Sequence, residues 1–232
     1  MPSGPDPSRT NSPERTPPSK RLRLDAQRNR AAILVAAEEV FAEQGLDAPL
    51  EEVAARAGVG IATLYRRFPK REQLVAAALV ETIRQYAQRA EEALAEPDPW
   101  AALVSLVEEV CSLQARDLGL GDLLTMVLPA DKQVERLRQV ANDHVVKLVE
   151  RAKAAGQLRP DFVGEDLLLL MIANSAIAHI TGQDARAASP RFVALMLEAF
   201  RADGRGALPE PPTGDAMEKA MRRMALERGC GE

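Results

Sequence analysis

Reactive side chains are scarce in this chain. Its 232 residues include two histidines, His144 and His179, and two cysteines, Cys111 and Cys230. The cysteines stand far apart in dissimilar contexts, which leaves out a disulfide framework or a cysteine metal motif. Both histidines fall in segments of helical pattern, where an isolated histidine is ordinarily a hydrogen-bonded core or interface residue. Without a Ser/His/Asp, Cys/His or metal-ligand grouping, an enzyme has no candidate site, and no catalytic residue, cofactor or metal is expected. Cys111 lies among apolar helical residues and reads as a small buried thiol, ahead of a redox sensor. Aromatic residues make up 3% of the chain, too few to suggest a flat multi-ring ligand. The longest strongly apolar stretch, residues 167 to 180, is interrupted by Asn174, Ser175 and His179 and is too short to span a bilayer. The opening segment lacks the apolar stretch of about 7 to 15 residues that a secretory leader needs. The expected location is the cytosol, with no membrane partner.

What the sequence does contain is helical periodicity, and nothing in it reads as a sheet. Residues 25 to 44 place Ile33, Ala37, Val40 and Phe41 on one stripe and end at Gly45, a C-cap. Pro49 suits the first turn of a second helix, where its missing N–H is not needed. That helix carries Val53, Ala54 and Ala57 on one side, and Gly58 can take the left-handed conformation that ends it. A short third helix pairs Leu64 with Phe68 at i,i+4. Arg66 lies about 200° around from Leu64, at about 100° per residue, and so points away from the core. Thr63, Tyr65 and Arg67 are also set apart from the apolar side. An ordinary helical hairpin with a solvated basic face has the same local pattern, but three helices in a row with a short basic third make a compact DNA-reading unit.

Val40-Phe41 followed by Gly45, then Val53-Ala54, Ala57-Gly58-Val59, Thr63-Leu64-Tyr65, Phe68 and Arg71-Glu72 before Leu74 resemble the amino-terminal domain of TetR-family transcriptional regulators. The resemblance covers residues 25 to about 75; beyond them it rests on helical pattern and length. It implies that Thr63 and Tyr65 touch phosphates or base edges. Arg67 matches a position often held by a phosphate-binding histidine, and Arg71, with Lys70 beside it, matches the lysine that opens the fourth helix. Gly60, Ile61 and Ala62 occupy the base-facing positions and depart from the polar residues common there. Small or apolar side chains contact thymine methyls but make no bidentate hydrogen bonds, so direct reading falls on Arg66 and Thr63. Ala48-Pro49 is a second departure, since many relatives place a capping serine or threonine there.

Charge fits this reading once it is divided along the chain. The whole carries −4, yet residues 1 to 71 hold 12 Lys+Arg against 9 Asp+Glu. Lys20, Arg21 and Arg23 form a basic arm able to displace counterions from a duplex, in its minor groove or along its phosphates. Residues 1 to 19, rich in Pro, Ser and Thr, cannot bury enough surface to order themselves and read as a disordered tail. The expected organisation is tail 1–19, helix-turn-helix domain 20–72, regulatory and dimerisation domain 73–201, and linker with tail 202–232.

In the larger domain, amphipathic helices are expected over 70–96, 99 to about 117, a short stretch bracketed by Gly119 and Gly121 and ending near Pro129, and 131–155. Segments 164–182 and 190–201 are apolar over wide surfaces. The resemblance implies that these last two pair across a two-fold axis as a homodimer, which also lets two short helices read a near-palindromic site on double-stranded DNA. It further implies a small-molecule effector pocket. Tyr86, Trp100, Leu106, Val110, Leu123 and Met126 are candidate lining, and Asn142, Asn174, His144 and His179 are polar groups nearby. The expected function is a repressor released by an effector that favours a dimer with its reading heads wrongly spaced. A helical adaptor or a small-molecule enzyme without DNA binding is the alternative, and the face carrying Thr63, Tyr65, Arg66 and Arg67 discriminates between them. A short amphipathic piece, residues 215–228 with Met217, Met221 and Met224, closes the chain.

Overall fold

A computed structural model describes residues 18–126, 132–203 and 206–227, with residues 18–24 described by their backbone alone. Among these residues are ten α-helices: α1 (Pro18–Gln44), α2 (Leu50–Arg56), α3 (Ile61–Arg67), α4 (Arg71–Ala93), α5 (Pro99–Gln114), α6 (Leu118–Thr125), α7 (Lys132–Ala154), α8 (Gly164–Thr181), α9 (Ala185–Phe200) and α10 (Gly214–Glu227). The described residues contain no strand, only a single bridge between Leu158 and Arg201. No described helix is long and apolar enough to cross a membrane.

Helices α1 to α3 form a head whose core is the stripe read from the sequence. Ile33, Ala37, Val40 and Phe41 are buried against Val53, Leu64 and Phe68. Gly45 and Gly58 adopt φ of 84° and 67°, the left-handed conformation that turns the chain out of α1 and α2. At the second turn Val59 N–H returns to Ala54 O at 3.0 Å. Pro49 stands one residue ahead of α2 and offers no side-chain cap; Glu51 and Glu52 in the first turn favour the helix dipole instead. Arg56 fastens α2 to α1 through both oxygens of Glu43, each at 2.8 Å.

Helix α1 begins at Pro18, seven residues before the expected start, so residues 18 and 19 belong to a helix and not to the tail. Proline is compatible with a first helical turn, and lysine, arginine and leucine at 20 to 24 are good helix formers. Their lack of a periodic apolar stripe hides this extension from a pattern reading. The rest of the expected tail, residues 1–17, lies outside the described residues.

Helix α4 leaves the head and packs along α7, joining head to body. The body differs from its sequence reading in two places. Gly119 and Gly121 sit inside α6 instead of flanking it, because α6 rides directly on α1: a Cβ at Gly119 would stand 3.0 Å from the backbone of Phe41. Helix α9 starts at Ala185, with Pro190 inside it. Alanines at 185, 187 and 188 favour helix, and the exposed proline removes one hydrogen bond near the helix start.

Candidate nucleic-acid interface and effector cavity

Seven residues form α3, with Gly60 as its N-cap and Arg66 and Arg67 in its last turn, where the helix dipole favours cations. Leu64 and Phe68 are buried, which fixes the rotation of the helix. Gly60, Ala62, Tyr65, Arg66 and Arg67 are consequently exposed, while Ile61 and Thr63 are half-buried at the edge. Tyr65 exposes 47% of its surface. Arg66 and Arg67 enter no ion pair among the described residues. The face thus offers a hydroxyl, a phenol and two guanidinium groups, the usual partners of phosphate and base edges. Lys70 lies beside it and approaches Glu72 at 3.7 Å.

Arg71 turns away from this face. Its Nη1 donates to the carbonyls of Leu46 and Ala48 at 2.7 and 2.9 Å, stapling the α1–α2 turn to the start of α4. The side chains of Lys20, Arg21 and Arg23 lie outside the described residues.

The same turn is gripped from the body. Asp122 on α6, only 1% exposed, accepts the N–H of Leu46 through Oδ2 at 2.9 Å. Its Oδ1 meets Nε2 of His179 on α8, also at 2.9 Å. A carboxylate in apolar surroundings requires such partners. Through them one side chain joins the head, α6 and α8.

A cavity of about 720 Å³ opens among α4, α5, α7, α8 and α10. Of the eight candidate lining residues, Tyr86, Leu106, Val110 and Asn142 stand on its wall. The other four expected lining residues lie elsewhere. Leu123 and Met126 are wholly enclosed in the core around α6. Trp100 lies under the guanidinium of Arg201, 5.3 Å from its ring centre. Asn174 is bound into a helix junction: its Nδ2 donates to Cys111 O and Gln114 Oε1, and its Oδ1 accepts from Ser189 Oγ at 2.6 Å. Its amide is therefore committed to joining α5, α8 and α9. Of the two histidines, His144 is half-buried outside the cavity lining and His179 is held by Asp122. Cys111 borders the cavity as a buried thiol, and desolvation pushes its pKa up to about 12.

The cavity also contains residues not anticipated from sequence. Arg138 is the foremost, half-buried on the inner wall beside Tyr86. Its signal was present: Val134, Arg138, Ala141 and Val145 follow the spacing of the apolar stripe of α7. Met217 and Met221 of α10 close part of the same wall.

Comparison with known proteins agrees with both halves of this architecture. Residues 33–78 match the model of bacterial regulatory proteins of the tetR family, and residues 98–202 match that of the SbtR-like transcriptional regulator C-terminal domain. A TetR transcriptional regulator from Streptomyces coelicolor is 34% identical, with 75% of this chain and 99% of that one aligned and a TM-score of 0.48. A TetR regulatory protein from Mycobacterium vanbaalenii is 30% identical over 78% and 99% of the two chains, with a TM-score of 0.44. SmeT, the repressor of a multidrug efflux pump of Stenotrophomonas maltophilia, shares the fold at 24% identity over 82% and 100% of the chains, with a TM-score of 0.51. No curated protein matches. The chain is a non-enzymatic DNA-binding transcriptional regulator by class, all-helical with an amino-terminal helix-turn-helix. It belongs to the TetR family, and its carboxyl-terminal domain is of the SbtR-like kind.

Proposed function

We propose that this regulator is a homodimeric repressor that holds a near-palindromic operator through two copies of α3 and releases it when a small molecule occupies the cavity. The observation that carries the DNA part is the rotation of α3, which buries Leu64 and Phe68 and turns Tyr65, Arg66 and Arg67 outward. On this reading Gly60, Ile61, Ala62 and Thr63 approach base edges while Tyr65, Arg67 and Lys70 hold phosphates. Arg71 acts through the α1–α2 turn.

Two helix faces support the dimer. Leu169, Ala173, Ala176 and Ile180 form a stripe on α8, and Ala188, Phe192, Leu195 and Ala199 form one on α9. Ile180 is 83% exposed and Leu195 56%, apolar surface that pairing of two copies removes from water. Such pairing sets the distance between the two α3 helices. A ligand that prefers a different setting of α4 and α6 changes that distance and lowers DNA affinity by its differential binding. The protein then works in the cytosol, where its operator is.

Selection of bound sequences from a random duplex pool by the full chain tests this reading. Enrichment of a two-fold symmetric motif is expected; recovery of no motif, or of one without two-fold symmetry, overturns the reading of a near-palindromic operator held by two copies of α3.

A further inference from the structure

The cavity has chemically different ends. At one end, where α7 passes the terminus of α6, stand Arg138 and Tyr86. Arg138 donates through Nη1 to the carbonyl of Met126, the residue that closes α6. It makes no ion pair among the described residues; Glu135, one turn away and also on the cavity lining, is exposed and beyond ion-pair distance, though its charge acts on Arg138 through space. A guanidinium has five N–H donors in a planar fork. One carbonyl is its hydrogen-bond partner, and burial pulls its pKa down against the smaller, opposite pull of the Glu135 charge, so the fork keeps N–H donors for a closer anion. Tyr86 keeps its proton, since burial raises its pKa to about 12, and supplies a further donor.

The other end is acidic. Glu150 near the end of α7 and Glu165 in the first turn of α8 outnumber Lys153 there, while Glu218 on α10 is paired with Arg222 at 2.7 Å. Residues 138 and 150 are separated by about 18 Å along α7 at about 1.5 Å per residue. Between the ends the wall is aliphatic, with Leu106, Val110, Val145, Val149 and Leu170.

We infer that the effector is an organic monocarboxylate, its carboxylate on the fork of Arg138 and its apolar body lying along α7 toward α10. The inference rests on the proposal that this cavity is the effector site. Arg–carboxylate pairing is geometrically matched and charge-assisted. The acidic far end disfavours a thioester of coenzyme A or any ligand that would put phosphates there. Binding also has a route to the head. An anion that draws Arg138 from the Met126 carbonyl loosens the terminus of α6, the helix whose Asp122 grips Leu46.

Calorimetric titration of the full chain with decanoate and 3-phenylpropanoate, each against its matching alcohol (decan-1-ol, 3-phenylpropan-1-ol), tests the assignment. At least one acid is expected to bind tenfold or more tighter than its alcohol. Arg138→Met removes that preference while leaving alcohol binding within about twofold, and Arg138→Lys retains part of it. Equal binding of acids and alcohols, acid binding unchanged by Arg138→Met, or no binding of either acid at millimolar concentration overturns the inference. If Arg138→Met does not fold, the acid and alcohol titrations of the unaltered protein, with Arg138→Lys, decide. An alcohol that binds and releases DNA where its acid does not defeats the carboxylate assignment and leaves effector release standing. An acid bound on Arg138 without any change in DNA affinity does the reverse.

Discussion

The carboxylate of Asp122 holds the backbone N–H of Leu46 at 2.9 Å across 76 residues of sequence. Together with Arg71 on the Leu46 and Ala48 carbonyls, it fixes the α1–α2 turn by both its donor and acceptor groups. The orientation of α2, and hence of α3, is thereby tied to α6 and α4.

Asp122→Ala strands a buried N–H and leaves His179 without this partner, a loss of about 1–3 kcal/mol for an unsatisfied buried group. Chemical denaturation should show a lower midpoint with an unchanged slope. If an effector is found, its influence on DNA affinity should shrink in this variant more than its own binding does.

Gly119→Ala places a methyl 3.0 Å from the backbone of Phe41. Because backbone yields less readily than a side-chain tip, α6 must back away from α1, at about 1–3 kcal/mol of overpacking. Thermal unfolding measures this; an unchanged midpoint would show that α6 does not bear on α1.

Much of this architecture was legible in the chain, and the reason is local. The stripes of α1, α2, α4, α5 and α7 recur at helical spacing, and Gly45, Gly58 and Gly156 mark ends where each takes positive φ. What stayed hidden depends on distant partners. Nothing local marks Asp122, since Leu46 and His179 lie 76 and 57 residues away. Asn174 looked like a ligand group because Gln114 and Ser189, which occupy its amide, are brought to it only by the packing of α5 and α9. The place of α10 on the cavity wall had no local signature beyond an amphipathic pattern.

Arg67→Ala removes one exposed cation per protomer. Stability should stay within about 0.5 kcal/mol, as for most surface substitutions. DNA affinity should fall, and the slope of log affinity against log salt should lose about 2 per dimer, reflecting two fewer released counterions. Tyr65→Ala should weaken binding as well. Mobility-shift titrations over a salt series measure both.

Leu195→Arg puts a charge in the middle of the exposed α9 stripe. Desolvating a guanidinium against a second apolar face is costly, so sedimentation should show a dimer for the unaltered protein and a monomer for the variant. Retention of the dimer would place the subunit contact elsewhere.

Cys111 should be nearly inert while the protein is folded. With its pKa raised from 9.0 to about 12, its thiolate fraction at pH 8 falls about 10³-fold, and only the thiolate reacts. A Cys230→Ser variant isolates the site, and a disulfide reagent should react with it at the rate of unfolding. The folded state holds the proton more tightly, so the contribution to stability is complete below about pH 9 and declines as pH rises toward 12.

Hydroxyl-radical footprinting on the selected operator bears most directly on the claim that the outer face of α3 reads DNA in pairs. Two protected patches on one side of the duplex are expected, about one helical turn or a small multiple apart, and Arg67→Ala or Tyr65→Ala should erase both together. A single patch, or protection that survives both substitutions, would contradict it.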